Sequence, residues 1–332
     1  MNNLPRVAVI GAGAAGLAAA RLLQDAGLAV TVFDKARRPG GRLAVRRSDW
    51  GNLHHGAPLV SLPDHPLPKA VQSLLDLAGE TLLPVAAPNL GGGSSSGFSH
   101  APSLNALAAR WADGVDVRCQ HTLTQLTSDS SGWWLQVAES VERLGPFDHV
   151  VLTAPTVQAL ALLSTLPEQS TLSAMLSTTR HAPCWSVMWV PAAPPSCRGL
   201  IEVPDPVTGL GLIVREDARD ADTGGIRYVL HATPDWSEAH LEDEADAVAQ
   251  ALVRQAAAWL DCPTDSLHLA AHRWRYATVS ASAGLPCLRG NDGLWYAGDA
   301  CLGNTVIDAL TSGAAAAEAL LDGLSLPTQR AA

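Results

Sequence analysis

The sequence predicts an α/β fold in which a parallel sheet, discontinuous along the chain, carries an inserted α+β portion built on a mainly antiparallel sheet. Three observations predict it. A β-branched run at 6–10, a glycine-rich turn at 11–16, an alanine- and leucine-rich helix at 17–24 that Gly27 can end, and a second run at 29–33 make a β-α-β unit, whose strands are parallel and whose crossover is right-handed. Between Pro183 and Thr233, alternating runs such as 185–190 and 227–231 are separated by proline- and glycine-rich turns, the pattern of antiparallel strands. A last strand at 294–297 leads through Gly298-Asp299 into a helix at about 308–321, which returns the chain to the ligand-facing edge of the open sheet.

The intervening segments follow from local pattern. From 58 to 97 prolines recur at 58, 63, 66, 68, 84 and 88, and the stretch ends in Gly91-Gly92-Gly93-Ser94-Ser95-Ser96-Gly97, so loops around one short helix at 69–78 are expected. A helix at 103–111 and strands at 115–118, 133–137 and 149–152 follow, and an acid- and alanine-rich helix is expected over 237–260. No internal repeat is evident.

A formal charge of −10 gives no basic stripe to displace counterions, which argues against a nucleic-acid partner. The six cysteines are scattered without a CxxC pair or metal-ligand spacing, so reduced thiols, a cytoplasmic location and no metal are expected. The amino terminus lacks the apolar stretch of a secretory signal, and no segment is apolar for long enough to span a bilayer, so no membrane partner is expected.

Chemistry enters at Gly11-Ala12-Gly13-Ala14-Ala15-Gly16. In this G-x-G-x-x-G spacing the first glycine makes the tight turn, the second lets backbone approach a pyrophosphate, and the third packs helix on strand, with phosphate at the helix's positive end. Asp34 closes the second strand 18 residues after Gly16, where a carboxylate can hold ribose hydroxyls. The unit is therefore Rossmann-like and dinucleotide-binding. NAD and FAD share such a cradle. FAD is favoured by Arg37-Arg38-Pro39-Gly40-Gly41-Arg42, which can reach a second phosphate or the edge of a flavin, and by the distant Gly298-Asp299, because a long cofactor lying across the sheet uses both ends of the chain. Arg42 as a plain surface charge and Asp299 as a turn residue remain the alternatives.

The order of glycine fingerprint, Asp34, Gly40-Gly41-Arg42, the strand ending Leu152-Thr153-Ala154-Pro155 and terminal Gly298-Asp299 resembles the flavin-dependent amine oxidase superfamily, and within it the bacterial renalase-like proteins. The likeness spans about 5–57 and 145–322. It includes Gly145 to Val150, His231-Ala232-Thr233 with Trp236-Ser237, Arg273-Trp274-Arg275-Tyr276, and Cys301-Leu302. The resemblance implies an FAD enzyme that oxidises isomeric dihydro-NAD(P) species by hydride transfer to flavin N5, with oxygen as acceptor and hydrogen peroxide as product. The alternatives are a flavin amine oxidase or desaturase acting on another small molecule, and a flavoprotein without turnover that uses FAD structurally or as a redox sensor. Hydride transfer needs orientation more than a nucleophile or a metal.

The expected cofactor-binding residues are Gly11, Gly13, Ala14, Ala15, Gly16, Asp34, Lys35, Gly41, Arg42, His55, Gly56, Ala57, Val117, Ala154, Gly298, Asp299, Val306 and Ile307. The expected substrate-facing residues are His231, Trp274 and Tyr276. A structural histidine and core-filling aromatics are the competing readings of those three. Arginines at the cavity mouth, such as Arg215, Arg219 or Arg275, would suit a dinucleotide, and an aromatic cage would suit an amine. Two departures stand out: His54 where the family pattern has an acid, and Arg215-Glu216-Asp217-Ala218-Arg219 in place of a polar, basic segment. The expected division is 1–60, 98–160 and 288–327 for an FAD-binding domain, 61–97 and 161–287 for a substrate domain, and 328–332 as a tail.

Overall fold

The computed structural model describes residues 4–77, 79, 82–86, 96–100, 103–193, 195, 201–202, 208–217 and 225–324. Residues 91–95 of the glycine–serine run, Arg219 and the tail at 328–332 lie outside these.

Six strands form one sheet in the order β18 (Leu288–Arg289), β19 (Leu294–Tyr296), β12 (His149–Leu152), β1 (Arg6–Ile10), β2 (Ala29–Asp34) and β8 (Asp116–Cys119). All its pairings are parallel except that of β18 with β19. Both faces of β1 are covered, as a parallel sheet requires. Val7 and Val9 pack with Leu17, Leu107 and Leu310 of helices α1 (Ala14–Asp25), α3 (Leu104–Ala112) and α9 (Val306–Gly323). Ala8 and Ile10 pack on the other side with α4 (Thr156–Leu163), α5 (Ser170–Ser177) and a three-stranded antiparallel sheet, β9 (Leu123–Asp129), β10 (Gly132–Val137) and β11 (Leu144–Phe147). The alternation of β1 thus serves two cores at once.

A second, antiparallel sheet runs β14 (Ile201–Glu202), β15 (Leu210–Arg215), β16 (Tyr228–Ala232), β13 (Arg180–Pro191), β17 (Ser266–Ala281). One face, with Trp185, Val187, Trp189 and Leu230, packs on α7 (Ala245–Leu260). The other face places Met188, Val229 and Ala270 against Leu53, at the end of the hairpin β3 (Arg46–Ser48) and β4 (Gly51–Leu53). The expected mixed architecture is the observed one.

Three local expectations need correction. The helix expected over 237–260 is two helices. The Thr233 hydroxyl accepts from Trp236 N and Pro234 opens α6 (Pro234–Ala239), while α7 starts afresh at Ala245 after a turn in which His240 Nδ1 lies 2.7 Å from Asp243 Oδ2. Residues 58–97 hold, besides α2 (Lys69–Asp76), a small antiparallel sheet of β5 (Val60–Ser61), β7 (Ser96–His100) and β6 (Leu82–Ala86). Pro84 is tolerated there because β6 is an edge strand. The terminal helix begins at Val306 and not at 308, because Thr305 and Asp308 close a capping box around its first turn.

Candidate active site

The glycine turn is held from both sides. Gly11 adopts φ +113°, a conformation that favours glycine, and its N–H donates to Phe33 O at 2.8 Å. A Cβ at Gly16 would lie 1.8 Å from Gly11 O, so that glycine is required for helix α1 to sit on the strand. Gly13 differs: it caps α1 with ordinary backbone angles, and a Cβ there would meet nothing within 4 Å. No side chain caps α1, and no acid stands in its first turn. Its amide donors, including those of Ala14 and Ala15, therefore face open space at the positive end of the helix, where an anionic group fits. Asp34 borders this space, accepting from Ala12 N at 2.6 Å and Ala36 N at 2.7 Å. A carboxylate with one backbone bond on each oxygen retains lone pairs for further donors such as ribose hydroxyls.

The arginine turn folds directly onto the cradle. Gly40 N donates to Ala12 O at 2.8 Å, and a Cβ on Gly41 would come within 3.2 Å of Gly13 Cα. Arg42 then crosses the chain's whole length: its guanidinium makes a two-pronged pair with Asp299, both contacts at 2.6 Å, and donates to Ala277 O at 2.9 Å. Burial works to lower the Arg42 pKa, but the Asp299 carboxylate outweighs it and holds the pKa above the ordinary value. Ala277 O is available because the β13–β17 ladder shifts register between Ala182 and Cys184. Asp299 opens α8 (Asp299–Leu302), and Gly298 N donates to Ser312 Oγ of α9 at 2.9 Å. Arg42 and Asp299, expected to serve one long cofactor from the two ends of the chain, are paired with each other and tie the turn to the terminal helix, while a third of the Arg42 side chain stays exposed.

Segment 54–57 is clamped to the same turn. Ala57 N donates to Arg42 O at 2.8 Å and Gly56 N to Ala44 O at 3.2 Å, and a Cβ on Gly56 would lie 2.1 Å from Arg42 O. From here His55 reaches the second sheet. Its ring stacks on Trp274, with centroids 5.6 Å apart at 22°, and meets His272 edge-on at 4.9 Å; Trp274 Nε1 donates to His55 O at 2.8 Å. In β16, β13 and β17 the register aligns His231, Ser186 and His272 in one row, so all three project from the same face. Ser186 Oγ and His231 Nδ1 are hydrogen-bonded at 3.1 Å. Burial, followed by the neighbouring His272, lowers the His55 pKa to about 4, and burial followed by Arg46 lowers that of His272. Burial also raises the Cys184 thiol, 3.8 Å from His231 Nδ1, to about 11. At neutral pH His55 and His272 are uncharged, and with them the face presents the His231 ring, an indole, a hydroxyl and a thiol.

Of the three substrate-facing residues expected, His231 and Trp274 share this wall, whereas Tyr276 lies beyond it, edge-on to His181 at 6.1 Å. Among the expected cofactor residues, Ala154 O accepts from Tyr296 Oη at 3.1 Å, Val117 pairs with Val32 at the sheet margin, and Lys35 Nζ donates to Gln158 Oε1 at 3.3 Å. Val306 and Ile307 form the first turn of α9. The arginines expected at the cavity mouth are neutralised: Arg215 forks onto Asp217 and Arg275 onto Glu242, while Arg219 lies outside the described residues. Sequence reasoning missed His272 and Ser186. The period of two in His272-Arg273-Trp274-Arg275 carried a signal for His272, since it puts His272 and Trp274 on one face; Ser186 carried none.

Comparison with known proteins agrees with this geometry. Residues 69–321 match the family described as flavin containing amine oxidoreductase, and residues 9–74 match the NAD(P)-binding Rossmann-like domain. Over 59 residues the chain is 41% identical to a 4,4'-diapophytoene desaturase of Staphylococcus aureus (strain Newman), a stretch that is 18% of this chain and only 12% of that protein's length. Similar solved structures include cyclohexylamine oxidase from Brevibacterium oxydans IH-35A, with TM-score 0.71 and 14% identity over 97% of this chain and 100% of that one. Another is a protoporphyrinogen oxidase, so described provisionally, from Exiguobacterium sp. 255-15, with TM-score 0.70 and 14% identity over 96% and 99% of the two chains. At that identity the likeness speaks for the fold.

Proposed function

We propose, because the chain belongs to the flavin-containing amine oxidoreductase family, that this FAD-dependent oxidoreductase works in the manner of renalases, oxidising isomeric dihydro-NAD(P) species. FAD, when bound, would supply the redox chemistry, hydride acceptance with reoxidation by oxygen to hydrogen peroxide. In this reading residues 1–60, 98–160 and 288–327 form the cofactor domain. The open amides of α1 and Gly13 hold the pyrophosphate, Asp34 holds ribose hydroxyls, and the Arg42–Asp299 tie with the first turn of α9 borders the far end of the cofactor. The space beside Gly13 and the uncapped helix are what make the chain fit that group.

The renalase-like assignment rests on the sequence resemblance, and the wall formed by His55, Trp274, His272, Ser186 and His231 supports a planar substrate: the His55 and Trp274 rings are stacked, and burial holds His55 and His272 uncharged at neutral pH, although an aromatic wall of this kind suits an amine as well. Trp274 and His55 stack a planar ring, and neutral imidazole nitrogens and the Ser186 hydroxyl orient a carboxamide, which fixes the reacting carbon without a covalent step.

A second reading, a small amine or other desaturase-type substrate, is favoured by the pairing of Arg215, Arg273 and Arg275 with carboxylates, which leaves those arginines engaged and not free for a substrate's phosphates. Anaerobic mixing of the yellow protein with isomeric dihydronicotinamides, ordinary NADH and a panel of amines separates the two. Rapid bleaching by the isomers and slow bleaching by NADH is the expected result; bleaching by an amine alone rejects the renalase-like assignment.

A further inference from the structure

Both departures from the family pattern noted in the sequence meet in one place. His54 Nδ1 donates to Glu216 Oε2, and the two side chains are 1% and 0% exposed. Glu216 N donates to Arg227 O at 2.8 Å, which extends the β15–β16 ladder by one residue, and the fully buried Arg227 donates through Nε to Asn52 O at 3.2 Å. The hairpin that ends at Leu53 is therefore tied to the sheet by the side chains of His54, Glu216 and Arg227 and by the Asn52 carbonyl. A buried carboxylate survives only with partners of good geometry. An acid at position 54 would have faced Glu216 as a like charge, so the two departures make sense together.

His54 is the immediate neighbour of His55, and the two rings take opposite tasks. His54 is anchored in the sheet edge, while His55 lies against Trp274 and His272, with its carbonyl held by Trp274 Nε1. We propose that His54 and Glu216 are a positioning pair that fixes the His55 ring in the aromatic wall. The pair acts through His55 and is not itself part of the wall. The inference concerns the placement of that ring and holds for either substrate class.

The His55 ring is in contact with His272 and Trp274 of β17, and the charges of Arg46 of β3 and His231 of β16 act on it as well. A ring held among them stays neutral well below the pH at which a free imidazole takes up its proton, and a ring released toward water does not. The test follows the His55 ring by NMR in the flavin-loaded, full-length protein labelled at histidine. The signal is assigned by its loss in His55→Gln, and the pH is lowered from 7 to 4. In the native protein the protonation midpoint is expected near 4. His54→Leu, which removes the donor, is expected to raise that midpoint by at least one pH unit. His54→Asn, which keeps a donor at the place of Nδ1, is expected to restore it, and Glu216→Gln to give an intermediate rise. The proposal is overturned if the midpoint in folded His54→Leu or Glu216→Gln equals the native value, or if Asn behaves as Leu does. Because the measurement needs no substrate, its failure is separate from a failure of the substrate assignment.

Discussion

The cradle at the start of α1 and the wall on the second sheet are built by opposite means. At the cradle, recognition is made of backbone: Gly11, Gly13 and Gly16 matter for the side chains they lack, and the α1 amides are left uncapped, whereas α9 closes its own first turn with Thr305 and Asp308. The wall is made of side chains from three distant strands and one clamped loop, with the charges of His55 and His272 suppressed by burial. Changes in the cradle should therefore act on cofactor retention, and changes in the wall on rate and on pH dependence.

The largest effects separate two glycines of one motif. Gly16→Ala drives a Cβ to 1.8 Å from Gly11 O, so helix and strand must part, at a cost on the order of 3 kcal/mol or more; an unstable protein without flavin is expected. At Gly13 an added Cβ meets nothing within 4 Å, so Gly13→Val leaves helix and strand packed. The expected outcome is a chain that melts close to the native apoprotein yet carries almost no flavin, read from the 450 nm absorbance of the purified protein. A yellow Gly13→Val would remove the pyrophosphate from that space and with it the contrast between the two regions.

That contrast also explains what was legible in the sequence. The cradle is local: two strands, one turn and one helix between Arg6 and Asp34, so spacing alone located it. Its closure by Arg42 and Asp299 was legible as two motifs at opposite ends of the chain, but their mutual pairing was not, because it joins residues 257 positions apart. The wall is non-local. His231 and Trp274 were visible as residues of the right type, yet Ser186 acquires its place only from register, and the meaning of His54 emerges only beside Glu216, 162 positions away. The mixed α/β architecture was readable because hydrophobic period survives in each element. The break in 237–260 was not, since helix propensity runs across the turn between Ala239 and Ala245, which His240 and Asp243 hold.

The Arg42–Asp299 tie joins the regions, so it should disturb both. Asp299 is 8% and Arg42 33% exposed at the side chain. Removing one partner of a buried pair typically costs ~3–5 kcal/mol, and the exposed third of Arg42 places this pair toward the low end of that range. Asp299→Asn is expected to lower both the melting temperature and the flavin content. Loss of neither would show that the tie holds nothing in place.

The wall's neutrality has a sign that can be worked out. Unfolded histidine takes up its proton near pH 6.5, whereas folded His55 resists until about 4. Between those values the unfolded state binds more protons, so stability is full above 6.5 and declines as the pH falls toward 4. At 1.36 kcal/mol per pH unit the gap amounts to about 3 kcal/mol. His272 adds in the same direction. Acid titration of unfolding should therefore be shallower in His55→Gln than in the native protein; equal slopes would mean that the ring is not held neutral by the fold.

The smallest effect expected is also the most specific. His231 is linked through Nδ1 to Ser186 and stands in the row that faces the hairpin, so its truncation removes a hydrogen-bonding group without opening the cradle. A single hydrogen bond to a reacting molecule contributes about 1 kcal/mol, which corresponds to somewhat less than tenfold in rate. His231→Ala is expected to slow flavin reduction by about that factor while the flavin-to-protein ratio and the melting temperature stay near native. A variant that loses flavin instead would assign His231 to the scaffold, and one that keeps both flavin and rate would leave the wall to His55, His272 and Trp274.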